Sequence, residues 1–414
     1  MLSPLTSKRK GRSLMNIAVA QSGGPTCAIN ASLVGVFKQA LRTPEIDAVF
    51  GSINGIEGII KDELIDLKLV IKSNEDMELL RQTPSTVLGS CRYKLPEQDE
   101  DLSVYEKILQ CFEKHRIEAF FYIGGNDSMD TVEKLSRYLI GKGSKIRVIG
   151  IPKTIDNDLP VTDHTPGFGS AAKYVAATVQ EIIRDSSVYS IESVTIVEIM
   201  GRHAGWLTAS TCCLRANEEI APHLIYLPER KFSVEQFVED VRAMQAKHKA
   251  VIVAVSEGVE IPEENCRSGV VDNFGHEYLS GVGKALENIV RREIGCKVRS
   301  IELNVMQRCS SHICSKTDID EAEEIGSAGV RAALDGETGR TMIFKRISDI
   351  PYMVTIESTP AENVANREKF FPEEWINDQG NDVTEAAFRY FLPLIQGEIQ
   401  IAMRNGMPLH FKLK

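Results

Sequence analysis

Apolar runs that stop abruptly in small, polar and acidic residues recur along this chain. The clearest is residues 121–128, which end in two glycines, and a segment with apolar residues at near-helical spacing follows it. Residues 151–158 then repeat the pattern and end in three acidic or amide side chains. The pattern predicts a strand, a glycine turn, a helix, a strand and an acidic turn. In an open parallel sheet both turns lie at the carboxyl ends of the strands, where ligands bind.

The same alternation extends over the rest of the chain. Helices are predicted from about residue 25 to 40 and at 102–115, 171–185, 281–294, 318–335 and 388–395. Further strands are predicted at residues 16–20, 48–53, 118–123, 194–199, 250–255, 297–304, 340–345 and 353–357. Strands that alternate with helices predict an α/β fold with mostly parallel sheets.

Composition narrows the class of protein. The chain has 414 residues, with 43% hydrophobic residues, 26% charged residues and a net charge of −10. That net charge argues against a general nucleic-acid surface. No apolar run approaches the roughly 20 residues of a membrane helix. The nine cysteines form no CxxC pair and indicate reduced thiols in a cytoplasmic protein. Residues 1–15, largely basic and polar, are predicted to be a disordered extension.

Turns that suit an anion cluster in the first 160 residues. Residues 21–25 form a second glycine turn, which alone indicates only a tight turn. Residues 83–94 form a loop with Arg92, whose simplest interpretation is a surface residue but which could clamp a phosphate between the glycine turns. The start of the helix at 171–185 is another candidate anion site. Asp127, Asp156 and Asp158 together with Lys153 supply carboxylates and a cation of the kind that phosphoryl transfer uses.

Single charged residues end the strands of the next 150 residues. Arg202 follows the strand at 194–199 and lies between Gly201 and Gly205, which favours close ligand approach over a surface ion pair. Its neighbour His203 is more simply a hydrogen-bonded residue at a helix start. Glu257 ends the strand at 250–255. The sequence therefore predicts a phosphoryl-donor domain that faces an acceptor domain.

These motifs together resemble the 6-phosphofructokinases, and within them the pyrophosphate-dependent branch. The resemblance covers roughly residues 16 to 345. The matching motifs are Ser22-Gly-Gly24, Gly89-Ser-Cys-Arg92, Gly124-Gly-Asn-Asp-Ser128, Pro152-Lys-Thr-Ile-Asp-Asn-Asp158, Glu198-Ile-Met-Gly-Arg202, Ser256-Glu-Gly258, Arg299 and Gln307-Arg308. This resemblance implies two Rossmann-like three-layer domains with mostly parallel sheets. The donor domain would comprise residues 16–165 and about 308–350, the fructose 6-phosphate domain residues 166–307, and residues 351–414 would pack on the core.

The resemblance also implies roles for individual residues. Asp156 would accept the proton of the sugar's 1-hydroxyl, with Thr154 orienting the reacting groups and Arg92 and Lys153 neutralising the transferring phosphoryl group. The implied donor-binding residues are Gly23, Gly24, Gly125, Asp127, Ser128 and Lys153. The implied sugar-binding residues are Thr154, Asp156, Asp158, Met200, Gly201, Arg202, Glu257, Arg299 and Arg308. Mg²⁺ would be held by Asp158 and Asn126, and the enzyme would be a homodimer or homotetramer.

The choice of donor depends on two side chains. ATP-using members of the family generally have glycine at the position of Asp127, where a carboxylate crowds and repels the α-phosphate of a nucleotide. Lys153 stands where many of them also have glycine. Pyrophosphate is therefore the expected donor, with an ATP-dependent enzyme or a non-catalytic regulatory subunit as alternatives. Two departures bear on the site, because Asn126 replaces a common aspartate and Val305 replaces a histidine or tyrosine.

Overall fold

Two sheets with parallel strands organise the chain. The computed structural model describes residues 14–262, 267–271, 277–279 and 281–413. The strands are β1 (Met15–Gln21), β2 (Ile46–Ser52), β3 (Leu64–Asp66), β4 (Ile117–Gly124), β5 (Arg147–Pro152), β6 (Ser193–Ile199), β7 (Leu224–Tyr226), β8 (Ala250–Ser256), β9 (Arg267–Val271), β10 (Glu277–Leu279), β11 (Lys297–Glu302), β12 (Arg340–Asp349), β13 (Tyr352–Pro360), β14 (Met403–Arg404) and β15 (Met407–Pro408). The α-helices are α1 (Ile29–Arg42), α2 (Ile56–Lys61), α3 (Leu67–Val70), α4 (Asn74–Arg81), α5 (Leu102–Lys114), α6 (Asn126–Gly141), α7 (Phe168–Ser187), α8 (Trp206–Ala209), α9 (Val234–Gln245), α10 (Val282–Glu293), α11 (Lys316–Leu334) and α12 (Glu385–Phe391).

The first sheet has seven strands in the order β13-β12-β5-β4-β1-β2-β3. Its inner strands pair in parallel, whereas β3 and β13 pair antiparallel at the two edges. Alternate residues of β1 face opposite layers, as a strand with two buried faces requires. Ile17 and Val19 pack in the core that includes residues of α1 and α11. Ala18 and Ala20 pack with residues of α2, α5 and α6, which completes a three-layer arrangement.

The second sheet has four strands in the order β11-β6-β8-β7, all of them parallel. Val194 and Ile196 of β6 face the core that includes residues of α9 and α10. Val197 and Ile199 face the opposite core, which includes residues of α7 and of the C-terminal region. The prediction of an α/β fold with mostly parallel sheets is confirmed. No helix among the described residues has the length and apolarity that a membrane span needs.

The C-terminal region joins both sheets. Strand β13 lies in the range predicted to pack on the core, yet it is the edge strand of the first sheet. Further along, Phe371, Trp375, Tyr390 and Phe391 surround the indole of Trp206 with ring centroids 5.1 to 6.2 Å away. The predicted limits of the two domains stay a prediction, and the extension predicted at residues 1–15 lies mostly outside the described residues.

The start of α7, which the sequence predicts as a candidate anion site, already binds a carboxylate of the protein. The buried Asp318 carboxylate accepts hydrogen bonds from the backbone N–H groups of Gly167 (2.7 Å) and Ser170 (3.0 Å). A carboxylate of the protein therefore already satisfies the donors that an external anion would use. The predicted strand at 297–304 is also shorter, because β11 ends at Glu302 and a 3₁₀ turn, Asn304–Arg308, follows it.

A buried charged network lies behind the acidic turn. The ring of His164 is 2% exposed and contacts the carboxylates of Asp163 and Glu321, each at 2.8 Å. Arg346 binds the same Asp163 carboxylate, and the phenol of Tyr352 donates to Glu321. Burial by itself lowers the pKa of His164, but the two carboxylates have a larger, opposite effect and raise the pKa to about 9. His164 is therefore a charged histidine at neutral pH.

His164 should make the free energy of unfolding depend on pH. Its pKa is about 9 in the folded chain and about 6.5 in an unfolded one. The charged His164 therefore stabilises the folded chain fully below pH 6.5. This contribution to the free energy of unfolding is lost as pH rises through about 9. We expect the wild-type advantage over His164→Gln to shrink across that range by about 2 to 3 kcal/mol.

Urea unfolding at a series of pH values measures this difference. The control is His312→Gln, because His312 is exposed. A difference between wild type and His164→Gln that does not change with pH would show that His164 is not charged in the folded chain.

Candidate active site

Two adjoining cavities lie where the strands of both sheets end. The donor cavity, of about 770 Å³, is lined by the turns that follow β1, β4 and β5. The acceptor cavity, of about 470 Å³, is lined by the turns that follow β5, β6 and β8. Residues that line both cavities mark where two bound molecules can meet. They are Gly24, Arg92, Asp127, Lys153, Thr154, Asp156, Asp158 and His203.

Glycine turns form one side of the donor cavity. The Ser128 hydroxyl donates to the Ser22 hydroxyl at 3.1 Å and so joins the turn after β4 to the turn after β1. A Cβ at Gly124 would lie 1.9 Å from the Ser128 hydroxyl oxygen, so this contact requires glycine. Helix α6 begins at Asn126, directly after the two glycines. The helix dipole therefore favours an anion in the cavity beside this turn.

Lys153 supplies a buried cation between the cavities. Its ammonium donates to the Gly24 carbonyl oxygen at 2.7 Å, and its side chain is 2% exposed. Burial lowers the pKa of Lys153 to about 8, although the nearby Asp156 and Asp158 favour the charged form. The ammonium is thus charged at neutral pH, and within the described part of the chain no carboxylate forms an ion pair with it. Its charge is available to an anionic ligand.

Two carboxylates face this cation. Burial, followed by the charge of Glu257, raises the pKa of Asp156. Burial and the charge of Asp156 raise the pKa of Asp158 to about 6. Thr154 fixes the turn, because its hydroxyl accepts from the backbone N–H of Asp156 at 3.1 Å. Such an arrangement provides a proton acceptor and an oxygen site for a cation.

The acceptor cavity depends on close backbone contacts. Gly201 has a φ of +133°, and a Cβ there would lie 2.5 Å from the Ala204 carbonyl oxygen. A Cβ at Gly258 would lie 2.0 Å from the Arg202 carbonyl oxygen. These contacts position Arg202 beside Glu257 in the cavity wall.

Arg308 completes this wall. It lines the acceptor cavity, and its Nε is buried without a hydrogen-bond partner among the described residues. A cavity with two arginines and a carboxylate suits a ligand that carries both a phosphate and hydroxyl groups.

Comparison with known proteins shows the family to which the chain belongs. The sequence model "PFK: Phosphofructokinase" matches residues 16–332. The chain is similar to the pyrophosphate–fructose 6-phosphate 1-phosphotransferases of Halomonas elongata, at 40% identity over 96% of both chains, and of Xanthomonas campestris, at 41% over 96% of both chains. The crystal structure of the pyrophosphate-dependent phosphofructokinase of Marinobacter aquaeolei superposes with a TM-score of 0.86 at 37% identity, covering 97% of this chain and 96% of that one. The chain belongs to the phosphofructokinase family.

Most of the site residues predicted from the phosphofructokinase motifs lie together. The donor cavity is lined by Gly23, Gly24, Arg92, Gly125, Asn126, Asp127, Ser128 and Lys153. The acceptor cavity is lined by Thr154, Asp156, Asp158, Met200, Arg202, Glu257 and Arg308. Gly201 contacts this second group through its backbone N–H, which donates to Glu257 at 3.4 Å.

Two predicted residues of this phosphofructokinase are placed differently. Arg299 lines neither cavity, since its guanidinium lies 3.3 Å from the Asp185 carboxylate and the side chain is 43% exposed. Asn126 does line the donor cavity, but its carboxamide is bonded to the backbone of Asn366 and Arg367. The carboxamide oxygen predicted to bind metal is therefore already used inside the protein.

Several other residues of this site were not predicted from the sequence. The ammonium of Lys94 lies 2.9 Å from the Asp127 carboxylate across the donor cavity. His203 lines both cavities, and α8 starts three residues later, so it is not the predicted helix-start residue. Asn366, Glu368 and Phe370 also line the donor cavity. These last three lie far along the chain, without any glycine turn or motif that could have marked them.

Proposed function

We propose that this chain transfers a phosphoryl group from pyrophosphate to the 1-hydroxyl of D-fructose 6-phosphate. The products are fructose 1,6-bisphosphate and phosphate, in a reversible, Mg²⁺-dependent reaction of glycolysis. The observation that supports it most is the junction of the two cavities at Lys153, Asp156 and Asp158. The two most similar relatives named above carry the name of this activity.

Asp156 acts on the acceptor. It lines both cavities, so a sugar hydroxyl in one and a phosphorus atom in the other can meet beside it. As the hydroxyl oxygen forms its bond to phosphorus, Asp156 accepts the proton, and the bond to the bridging oxygen breaks. The raised pKa of Asp156 makes its carboxylate a better proton acceptor than an exposed aspartate. In-line positioning by the two cavities contributes further to the rate.

Lys153 and Arg92 act on the donor. Both line the junction, and Lys153 is held by its bond to the Gly24 carbonyl. Their charges neutralise the transferring phosphoryl group and the phosphate that leaves with the electron pair of the broken bond. The glycine turns after β1 and β4 receive the remaining phosphate oxygens.

The carboxylates fit a magnesium ion. Burial and the charge of Asp156 raise the pKa of Asp158 to about 6. A divalent cation relieves the repulsion between two such carboxylates. Mg²⁺ takes oxygen ligands and is commonly bound by one or two carboxylates together with substrate phosphates. Asp158, with Asp156 beside it, would hold the ion, which would supply charge stabilisation to the phosphates. Asn126 is not included, because its carboxamide is bonded to the backbone of Asn366 and Arg367.

The sugar phosphate occupies the acceptor cavity. Arg202 and Arg308 bind its 6-phosphate, and Glu257 accepts hydrogen bonds from its hydroxyls. Arg299 can join such a site only across an interface with a second copy, which the predicted homodimer or homotetramer would supply. The oligomeric state and the cytoplasmic location stay predictions.

Asp127 and Lys94 close the donor cavity to nucleotides. Their ion pair joins the loop after Arg92 to the start of α6. Both side chains are more than half exposed, so the pair itself contributes little to stability. The resemblance to the family implies that the Asp127 carboxylate would crowd and repel the α-phosphate of ATP, which follows the transferred and leaving phosphates. Pyrophosphate ends before that point.

A donor assay tests the function. Purified protein receives fructose 6-phosphate, Mg²⁺ and either pyrophosphate or ATP, and product formation is followed in both directions. We expect turnover with pyrophosphate and at least a hundredfold lower kcat/KM with ATP. Turnover with ATP alone would identify the ATP-dependent alternative. Inactivity with both donors would favour the regulatory subunit, although Asp156 and Asp158 are both present in the site.

Replacing Asp127 should change donor preference. In Asp127→Gly we expect kcat/KM for ATP to rise at least tenfold, because the carboxylate is gone and Lys94 is free to meet an α-phosphate. Asp127→Asn is the matched variant, since it removes the charge but keeps the size. A gain in Asp127→Gly alone assigns the selection to size, and a gain in both assigns it to charge. If neither variant gains ATP use, Asp127 does not select the donor.

A further inference from the structure

A segment of the C-terminal region forms part of the donor cavity. Residues 366–370, here called the strap, place Asn366, Glu368 and Phe370 in its wall. None of the three lines the acceptor cavity. Tyr93 and Lys94 likewise line the donor cavity alone. In the proposed arrangement these residues would surround whatever is attached to the leaving phosphate of the donor.

Asn126 holds the first residues of the strap. Its carboxamide nitrogen donates to the Arg367 carbonyl oxygen, and its carboxamide oxygen accepts from the backbone N–H of Asn366, both at 2.5 Å. The Asn366 side chain adds a bond to the Asp130 carboxylate at 2.8 Å. An aspartate at position 126 could accept one of these bonds but could not donate the other. The amide at this position is thus matched to the strap.

Lys369 holds the other side of the strap. Its backbone N–H donates to the Asp158 carbonyl oxygen at 2.7 Å, and its ammonium donates to the carbonyl oxygens of Thr162 and Asp163. The indole of Trp206 donates to the Lys369 carbonyl oxygen at 3.0 Å. Glu368 therefore lies between Arg367 and Lys369, both of which are held by hydrogen bonds. Lys369, the next residue along the chain, is the one that bonds to the backbone of Asp158.

The carboxylate of Glu368 adds negative charge to this wall. It lines the cavity and forms no hydrogen bond or ion pair with any other described residue. Its charge is near enough to contribute to the raised pKa of Asp158. Lys94, the one lysine that lines only the donor cavity, is already paired with Asp127. A donor that extends past its second phosphate would bring further negative charge toward the carboxylates of Asp127 and Glu368. The lysine beside them, Lys94, is already shared with Asp127.

We propose that the strap, held by Asn126, is a second donor-selecting element and that Glu368 is a specificity-determining residue within it. This inference rests on the proposed function, since it concerns the choice between pyrophosphate and a nucleoside triphosphate. Glu368 disfavours the longer, more highly charged donor, and Asn126 acts through the strap as a positioning residue. Donor choice then depends on two separate segments of the chain rather than on Asp127 alone.

Two variants test the strap. Glu368→Gln removes the charge and keeps the shape, and we expect the ratio of kcat/KM for pyrophosphate to that for ATP to fall roughly threefold to tenfold, as for the loss of one exposed charge. Asn126→Ala removes both bonds to the strap, and we expect a fall in the same direction. The control is Glu374→Gln, because Glu374 is exposed nearby and lines neither cavity.

Limited trypsin cleavage gives a second measurement that does not depend on activity. Cleavage after Arg367, located by mass spectrometry, should be several-fold faster in Asn126→Ala than in wild type. The comparison is direct, since both have the same residues around the cleaved bond. Both variants keeping the wild-type donor ratio would overturn the inference. So would cleavage in Asn126→Ala at the wild-type rate. The donor preference of the wild type separately decides the proposed function, so that the two failures are distinguishable.

Discussion

Two half-buried carboxylates within one short turn are the constraint on which this site depends. Asp156 and Asp158 repel each other, and burial raises the pKa of both. Without support such a turn would be costly, since buried charges require compensation. The buried ammonium of Lys153 and the Thr154 hydroxyl provide it on the side of the cavities. Anionic substrates that arrive with a cation would complete the compensation, which would tie ligand binding to the residues proposed to perform the chemistry.

The C-terminal region supports this turn from behind. Asn157, at a φ of +54°, donates to the phenol of Tyr390, which in turn donates to the Asp163 carbonyl oxygen. Lys369 adds bonds to the same stretch, and His164 anchors its end between Asp163 and Glu321. Residues from beyond the last strand of the first sheet thus fix the acidic turn between the two cavities. The strap extends this support into the wall of the donor cavity.

The sequence predicted the parts that depend on local pattern. The glycine turn after β4 and the acidic turn after β5 follow directly from where apolar runs stop, because parallel strands bring their carboxyl ends to one edge. Gly201 is similar, since a residue with positive φ beside a ligand favours glycine.

Contacts between distant segments were not predictable in this way. The pairing of Lys94 with Asp127, the bond from Asn126 to residue 367 and the aromatic cluster around Trp206 carry no periodic signal. Asn126 shows the consequence, because its motif predicted a metal ligand, whereas its structural partners are backbone groups 240 and 241 residues away. Arg299 shows the opposite case. Its motif predicts that it binds the sugar phosphate, whereas in the single chain its side chain lies on the surface.

We propose that the two substrates meet beside Asp156, which removes the proton of the attacking hydroxyl. Steady-state kinetics of Asp156→Asn in saturating pyrophosphate and Mg²⁺, with direct measurement of fructose 6-phosphate binding, test it most directly. We predict that kcat falls about 10²- to 10⁴-fold, while the sugar phosphate binds within a few-fold of its wild-type affinity. A kcat within tenfold of wild type would contradict the account.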